Sequence, residues 1–309
     1  MKKILIIGAT GFIGKSLTNL LSKDCHIIAY DKYIPTEVVR TDIVEYVLGN
    51  FTTENRFVDL LQGVDVVVHL ACSSVPYDDT SVIEQEIKDN VIPTIRLLEA
   101  LKDRPSTRLV FASSAGTVYG ETGDIVNTAN SATAPTCSYG VQKVVIENYI
   151  QFYGRRYGLN YAIMRMSNPY GVGQDSNKVQ GLIPILIRQI LNNKGITIYG
   201  DGGNLRDYVY LPELTEGIMK VISYPGPERI FNLGLGKYYS INDVVSAVEE
   251  ITQKTFMDKS YVKKRFCDLK KSIVDYESSQ IELNWHPSID LYDGIRLTYN
   301  TMKLNPNEE

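Results

Sequence analysis

Cysteine and histidine are scarce in this sequence, at four and three of 309 residues. Cys25, Cys72, Cys137 and Cys267 lie far apart and form no CxxC pair. That spacing excludes a zinc ribbon and a disulfide scaffold, so no metal is expected and a reducing, cytoplasmic setting fits. A surplus of positive charge is missing too, the formal net charge being −4. Nucleic-acid binding draws on basic clusters that neutralise phosphates, so no nucleic-acid partner is expected. The one short basic run, KKR at 263–265, reads as a solvated turn. No apolar run is long enough to span a bilayer, and no membrane association is expected. MKKILII could open a signal peptide, but ATGFIGK follows in place of a longer apolar run and a cleavage site. Neither an internal repeat nor a low-complexity linker divides the chain.

What is present is 44% hydrophobic residues, ample for a large core in one or two domains. KILII at 3–7, HIIAY at 26–30, VDVVVHLA at 64–71, TRLVFASS at 107–114 and LNYAIMRM at 159–166 read as strands, several of them buried on both faces. Helical patterns lie between them, notably at 82–102 and 138–158. Strands alternating with helices predict an α/β fold, a doubly wound parallel sheet of Rossmann type covered on both faces. After about residue 169 the texture shifts to loops rich in Gly, Asn, Asp and Tyr. We therefore expect a dinucleotide-binding domain over 1–169, with a segment near 207–233 returning to it. A smaller substrate-binding lobe is expected in the rest of 170–309.

GATGFIG places Gly8, Gly11 and Gly14 between the first strand and the first helix. Glycines there allow a tight turn and close approach of backbone to a pyrophosphate, whose charge the helix N-terminus favours. Asp31 closes the second strand, where a carboxylate can accept both ribose hydroxyls and would repel a 2′-phosphate. NAD is expected over NADP, with Lys32 beside Asp31 as the feature that leaves NADP open. SYGVQK puts Tyr139 and Lys143 four residues apart, on one face of a helix. A free phenol has a pKa of about 10, and a neighbouring ammonium would bring it toward the working range of a base. The spacing alone means little, since Tyr299 and Lys303 repeat it near the C-terminus. Position decides, because Tyr139 opens a helix after the fifth strand of a dinucleotide-binding pattern.

Together GxxGxxG at Gly8–Gly14, Asp31, HLA at 69–71, Asn90, SSAGTVYG and YGVQK resemble an extended short-chain dehydrogenase/reductase. RMSNPYG, GDGGNLRDYVYL and KRFCDLKKSIVDYESSQIELNWHP extend the likeness over essentially the full length. The resemblance is to the NAD-dependent nucleotide-sugar epimerase/dehydratase family, in its UDP-glucose 4-epimerase-like group. It implies Tyr139 as proton donor or acceptor, Lys143 as its partner and Asn90 as support for the active site. It implies Phe12, Ile13, Asn50, Leu70 and Ala71 as further cofactor contacts. Asn168 and Arg206 would hold a nucleotide diphosphate, and Arg265 with Asp268 would form a further nucleotide-side pair. A homodimer through a four-helix bundle is implied as well, built from helices 82–102 and 138–158, with Val144, Val145, Ile150 and Phe152 supplying apolar surface.

Two departures stand out. Gly49-Asn50 replaces the usual Gly-Asp beside adenine, and an asparagine carbonyl can still accept from the adenine amine. The family's catalytic serine or threonine falls on Ala115, so Ser114 or Thr117 must substitute, or the tyrosine acts alone. Strand alternation from Ala115 favours Thr117. The acid/base pair of a 4,6-dehydratase is replaced by Gly116 and Thr117, which sets that elimination aside. The expected reaction is reduction of a dTDP- or UDP-linked 4-keto-6-deoxyhexose, of the kind used for bacterial surface polysaccharide. The alternative is a 4-epimerase of UDP-glucose or UDP-N-acetylglucosamine, and more remotely a non-catalytic NAD sensor.

Overall fold

The computed structural model describes residues 1–34, 42–76, 80–174 and 181–304. Seven parallel strands form its main sheet: β1 (Lys3–Ile7), β2 (His26–Asp31), β3 (Val44–Leu48), β4 (Val66–His69), β5 (Arg108–Ser114), β6 (Asn160–Met166) and β7 (Ile230–Leu233). Their order across the sheet is β7-β6-β5-β4-β1-β2-β3, so the chain runs out to one edge, returns to the centre and proceeds to the other. Apolar side chains alternate between faces but are buried on both. Ile4 and Ile6 of β1 pack on one side with Leu17, Leu214 and Ile218, and Leu5 and Ile7 on the other with Leu97, Leu98 and Ile146. Covered faces explain why the central strands read as near-continuous hydrophobic runs.

The expected helix at 138–158 forms as α-helix Ser138–Tyr157, closed by Gly158 in the left-handed region. The one at 82–102 is not uniform. It comprises Ile83–Glu86, a π-turn over Ile87–Val91 and a regular stretch Ile92–Leu101. Pro93 has no N–H to offer the turn before it, and the wider turn sits immediately ahead of it. The helical faces also differ from expectation. Ile150 is 0% exposed and belongs to the core beneath the sheet, while Val144 and Val145 are partly buried against core clusters. Phe152 is outward as expected, with Val141 and Tyr149 in place of the other three. A branched side chain on a helix flanking a sheet has two apolar destinations, and period alone does not choose between them.

The remaining residues build a smaller lobe around Leu186, Ile187, Val244, Val248 and Ile295. Its three-stranded sheet runs in the order Tyr238–Ser240, Leu205–Tyr210, Asn168–Tyr170. The helix Leu211–Ser223 and β7 return from it to the main sheet, where β7 pairs with β6. Strand Gly123–Asn127, between β5 and the long helix, pairs with Ser272–Val274 of the lobe and ties the two halves together. Among the described residues, no helix is long and apolar enough to cross a membrane, and no group of three or more His, Cys, Asp or Glu gathers as a metal site.

Candidate active site

The turn after β1 is shaped by packing that only glycine permits. Gly8 has φ +92°, and a Cβ there would lie 2.8 Å from the Ala71 amide nitrogen. A Cβ on Gly14 would lie 2.1 Å from the Gly8 carbonyl oxygen, so the first helix, Phe12–Leu21, is pressed directly onto the turn. Leu70 and Ala71 join the same knot, both donating their amides to the Ile7 carbonyl at 2.9 Å. The helix begins after Gly11 with no side-chain cap, which leaves the Phe12 and Ile13 end as an anion-accepting helix terminus. At the end of β2 the Asp31 carboxylate is held in place by the Thr10 amide at 2.9 Å and the Lys32 amide at 2.7 Å. An uncapped helix start beside a fixed carboxylate is the donor and acceptor set that a dinucleotide's pyrophosphate and ribose require. Asn50 caps the short turn Phe51–Thr53, its Oδ1 accepting from the Thr52 amide at 3.2 Å with a second lone pair left over.

FASSAGTVYG carries four hydroxyls, and the structure separates their surroundings. Ser113 donates to Glu147, which forms a buried ion pair with Arg165 at 2.6 Å. Tyr119 donates to Asn232 at 2.7 Å and accepts from Arg165 at 3.0 Å. Both therefore belong to a polar network behind the site. Ser114 ends β5 close to the Tyr139 hydroxyl and favours its ionised form. Thr117 does not replace it. The chain turns helical over Ala115–Val118, so strand alternation stops at Ser114, and the Thr117 hydroxyl is buried without a partner between that turn and Gly140.

Tyr139 stands in the first turn of Ser138–Tyr157 and shares a cavity with Lys143, Asn90, Ala71 and Cys72. Lys143 is 4% exposed and donates to the Ala112 carbonyl at 2.8 Å, with its ammonium 5.4 Å from the Tyr139 ring centroid. Burial, with Cys72 and Cys137 nearby, pushes the Tyr139 hydroxyl well above the ordinary phenol range, against the opposing pull of Ser114. Asn90 is fully engaged. Its Oδ1 accepts from the Ser73 amide at 2.9 Å, and its Nδ2 donates to Ser74 Oγ at 2.7 Å and Gln142 Oε1 at 3.0 Å.

A second cavity lies between the halves and includes Ala115, Gly116, Asn168, Arg206, Asp207 and Ser272. A Cβ built at Gly116 would be 3.9 Å from Ser114 Oγ and from the Asn168 amide. Among the described residues Arg206 makes no ion pair; it donates to the carbonyls of Leu205 at 2.8 Å and Leu269 at 2.7 Å, which aims the guanidinium. Asn168 donates to the Asp207 carbonyl at 2.8 Å. The Asp207 carboxyl accepts from the Leu235, Gly236 and Lys237 amides, yet its burial raises it to about 6. The Ser272 hydroxyl is buried without a partner at this wall. Arg265 and Asp268 form a paired contact at 2.9 and 3.0 Å, with the guanidinium over the Tyr199 ring. Sequence reading missed Asp207, Ser272 and Gln142. A polar residue inside an apolar window was their only local signal.

Residues 4–234 match the family described as NAD dependent epimerase/dehydratase. The chain is 29% identical to a dTDP-4-dehydro-6-deoxyglucose reductase of Escherichia coli, over 94% of this chain and 95% of that one. It is 32% identical to a putative UDP-glucose 4-epimerase of Methanocaldococcus jannaschii, over 98% and 99%. Among solved structures it is similar to the UDP-glucose 4-epimerase of Thermotoga maritima with UDP-glucose. That likeness has a TM-score of 0.90 and 26% identity, and covers 99% of this chain and all of that one.

Proposed function

This chain belongs to the NAD-dependent epimerase/dehydratase family and is an NAD-dependent enzyme of nucleotide-sugar chemistry; on that premise we propose that it reduces a dTDP- or UDP-linked 4-keto-6-deoxyhexose at C4. The observation that carries this reading is the buried Tyr139 phenol, whose burial disfavours the phenolate, close to Ser114 and to an alanine where a relay hydroxyl would stand. A protonated phenol is ready to give a proton to a developing alkoxide. Stripping a proton from an alcohol needs the phenolate, which this burial disfavours. The likeness to a 4-dehydro-6-deoxyglucose reductase supports the same direction.

In this proposal NADH, when bound, supplies the hydride. Gly8, Gly11, Phe12, Ile13 and Gly14 would receive its pyrophosphate, Asp31 the adenosine ribose, and Asn50 the adenine amine, with Leu70 and Ala71 as further contacts. Tyr139 gives its proton to the C4 oxygen, Ser114 orients the phenol, and Lys143 supplies positive charge beside it. Asn168 and Arg206 hold the diphosphate, and Arg265 with Asp268 the nucleoside. The division into a cofactor domain (1–169 with 207–233) and a substrate lobe, and a homodimer through the two long helices, belong to the same proposal.

The second reading is 4-epimerisation of a UDP-hexose, favoured by Asp31, which suits a retained NAD, and by the likeness to the Methanocaldococcus and Thermotoga proteins. Incubating the protein with a dTDP-linked 4-keto-6-deoxyhexose, UDP-glucose and UDP-N-acetylglucosamine, with and without NADH, separates the two. Reduction consumes one NADH per keto sugar and leaves both alcohols untouched. Interconversion of the UDP-hexoses without added NADH would replace reduction by epimerisation. Inertness toward all of them would leave the NAD sensor.

A further inference from the structure

Gln142 lies one turn beyond Ser138, is 5% exposed, and reaches the cavity wall beside Tyr139 and Lys143. Its two amide atoms face opposite demands. Oε1 accepts from Asn90 Nδ2 at 3.0 Å, while Nε2 donates to Glu86 Oε2 at 2.9 Å and to Ser138 Oγ at 3.0 Å. Rotating the amide by half a turn would set donor against donor at Asn90 and oxygen against carboxylate at Glu86, so one orientation is fixed. Ser138 Oγ also donates to Glu86 Oε2 at 2.6 Å, closing a ring of three side chains across the start of the helix.

The ring matters because of what stands at its two ends. Asn90 sits in the π-turn Ile87–Val91, where its Nδ2 also donates to the Glu86 carbonyl at 3.0 Å. Asn90 Oδ1 holds Ser73, two residues after Ala71 and the glycine turn's contact with β4. At the other end, Ser138 immediately precedes Tyr139, and the helix has no side-chain cap of its own at Cys137.

We infer that Gln142 is a positioning residue that couples the cofactor-side loop at 71–74, through Asn90, to the helix start that carries Tyr139. The inference rests on the proposed role of Tyr139. Its physical content is that the phenol and the cofactor wall keep one separation because a single buried amide joins both. Misplacing a proton donor by an ångström costs about 100-fold in rate.

Two measurements test this on the full-length protein. The first is hydrogen–deuterium exchange, which needs no substrate. In Gln142→Met, which keeps the volume and removes the amide, exchange should quicken in 137–142 and in 71–76 together. Unchanged exchange in 71–76 overturns the coupling, whatever the reaction proves to be. The second is turnover of whichever sugar nucleotide the wild type converts. Gln142→Met should lower kcat by about 10- to 100-fold, with KM for the sugar nucleotide within about 2-fold. Gln142→Glu alone should be as poor, because it sets two carboxylates together. Glu86→Gln combined with Gln142→Glu restores a donor opposite an acceptor and should recover most of kcat. A double variant no better than Gln142→Glu, or an undiminished kcat in Gln142→Met, overturns the inference. A wild type inert to every sugar nucleotide refutes the proposed function instead, and leaves the exchange result to decide the coupling.

Discussion

At Tyr139, Ser114 and Lys143 the chemistry depends on which neighbour each side chain meets. Tyr139→Phe removes the proton while keeping the ring and should cost at least about 100-fold in turnover, the low end for general acid–base catalysis. In steady-state assays Ser114→Ala should cost about 10-fold, since it removes the hydroxyl beside the acid. Thr117→Val should leave turnover unchanged, because its hydroxyl has no hydrogen-bond partner among the described residues. The reverse ranking of the last two would return Thr117 to the reaction. That Ser114, and not Thr117, meets Tyr139 was not legible in the sequence. The answer depends on the chain leaving strand geometry at Ala115, and FASSAGTVYG has no proline to announce it, while Ser114 at the N-cap makes no side-chain cap bond. Tyr139 and Lys143 were legible because their helical spacing falls at the start of a helix within a dinucleotide-binding pattern, a position that Tyr299 and Lys303 lack. A different residue sets the acid limit of stability. His69 is buried at the end of β4 near Lys143, and burial, then Lys143, pulls it down to about 3. A depressed folded value means its stabilisation is complete above the unfolded value of about 6.5. It is lost as pH falls from there toward about 3, at up to about 1.4 kcal/mol per pH unit. Urea unfolding at about pH 7.5 and about pH 5.5 should show this loss in the wild type and a smaller one in His69→Leu. Equal losses would mean that another group sets the acid limit. Asp207, raised to about 6, acts in the opposite sense and is common to both proteins.

The elements show which sequence signals survive folding. β1 and its glycine turn were legible because a strand, a Gly triplet and a helix occupy adjacent residues, and their geometry is local. The close contacts at Gly14 make the point quantitative. With the Gly8 oxygen 2.1 Å from a Cβ there, Gly14→Ala must lift the helix from the turn. Such overpacking costs about 1–3 kcal/mol. A lowered Tm together with weakened NADH binding by fluorescence titration is the expected result, and an unchanged Tm would mean that the helix does not press on the turn. The π-turn at 87–91 was less legible. Pro93 within a helical pattern signals a disturbance but not its kind, and Asn90, Glu86 and Gln142 come together only when two helices dock. β3 was similarly faint, because Val44–Leu48 is a short edge strand in which Glu45 and Leu48 are exposed and only Val44 is fully buried.

The whole molecule combines a sheet that ranks with the most readable features of the chain and a cleft that is among the least. Alternating strands and helices specify the layers, whereas the pairing of Gly123–Asn127 with Ser272–Val274 joins residues far apart in sequence and carries no local mark. The long helices expose Ile83, Ile87 and Ile92 on one element and Val141, Tyr149 and Phe152 on the other. That surface fits the proposed dimer better than the side chains expected from sequence. Light scattering at micromolar concentration should give twice the mass of the chain, with Phe152→Glu and Tyr149→Glu together giving a monomer. A monomeric wild type would remove the dimer. The central claim is that hydride passes from NADH to C4 of a keto sugar in a single direction, and isotope transfer tests it most directly. The protein is incubated with a dTDP-linked 4-keto-6-deoxyhexose and NADH deuterated at the transferable position, and the product is analysed by mass spectrometry and NMR. The account predicts one deuterium at C4 of each product molecule and an equal quantity of oxidised cofactor. Product lacking deuterium, or UDP-glucose epimerised with the labelled NADH untouched, would contradict it.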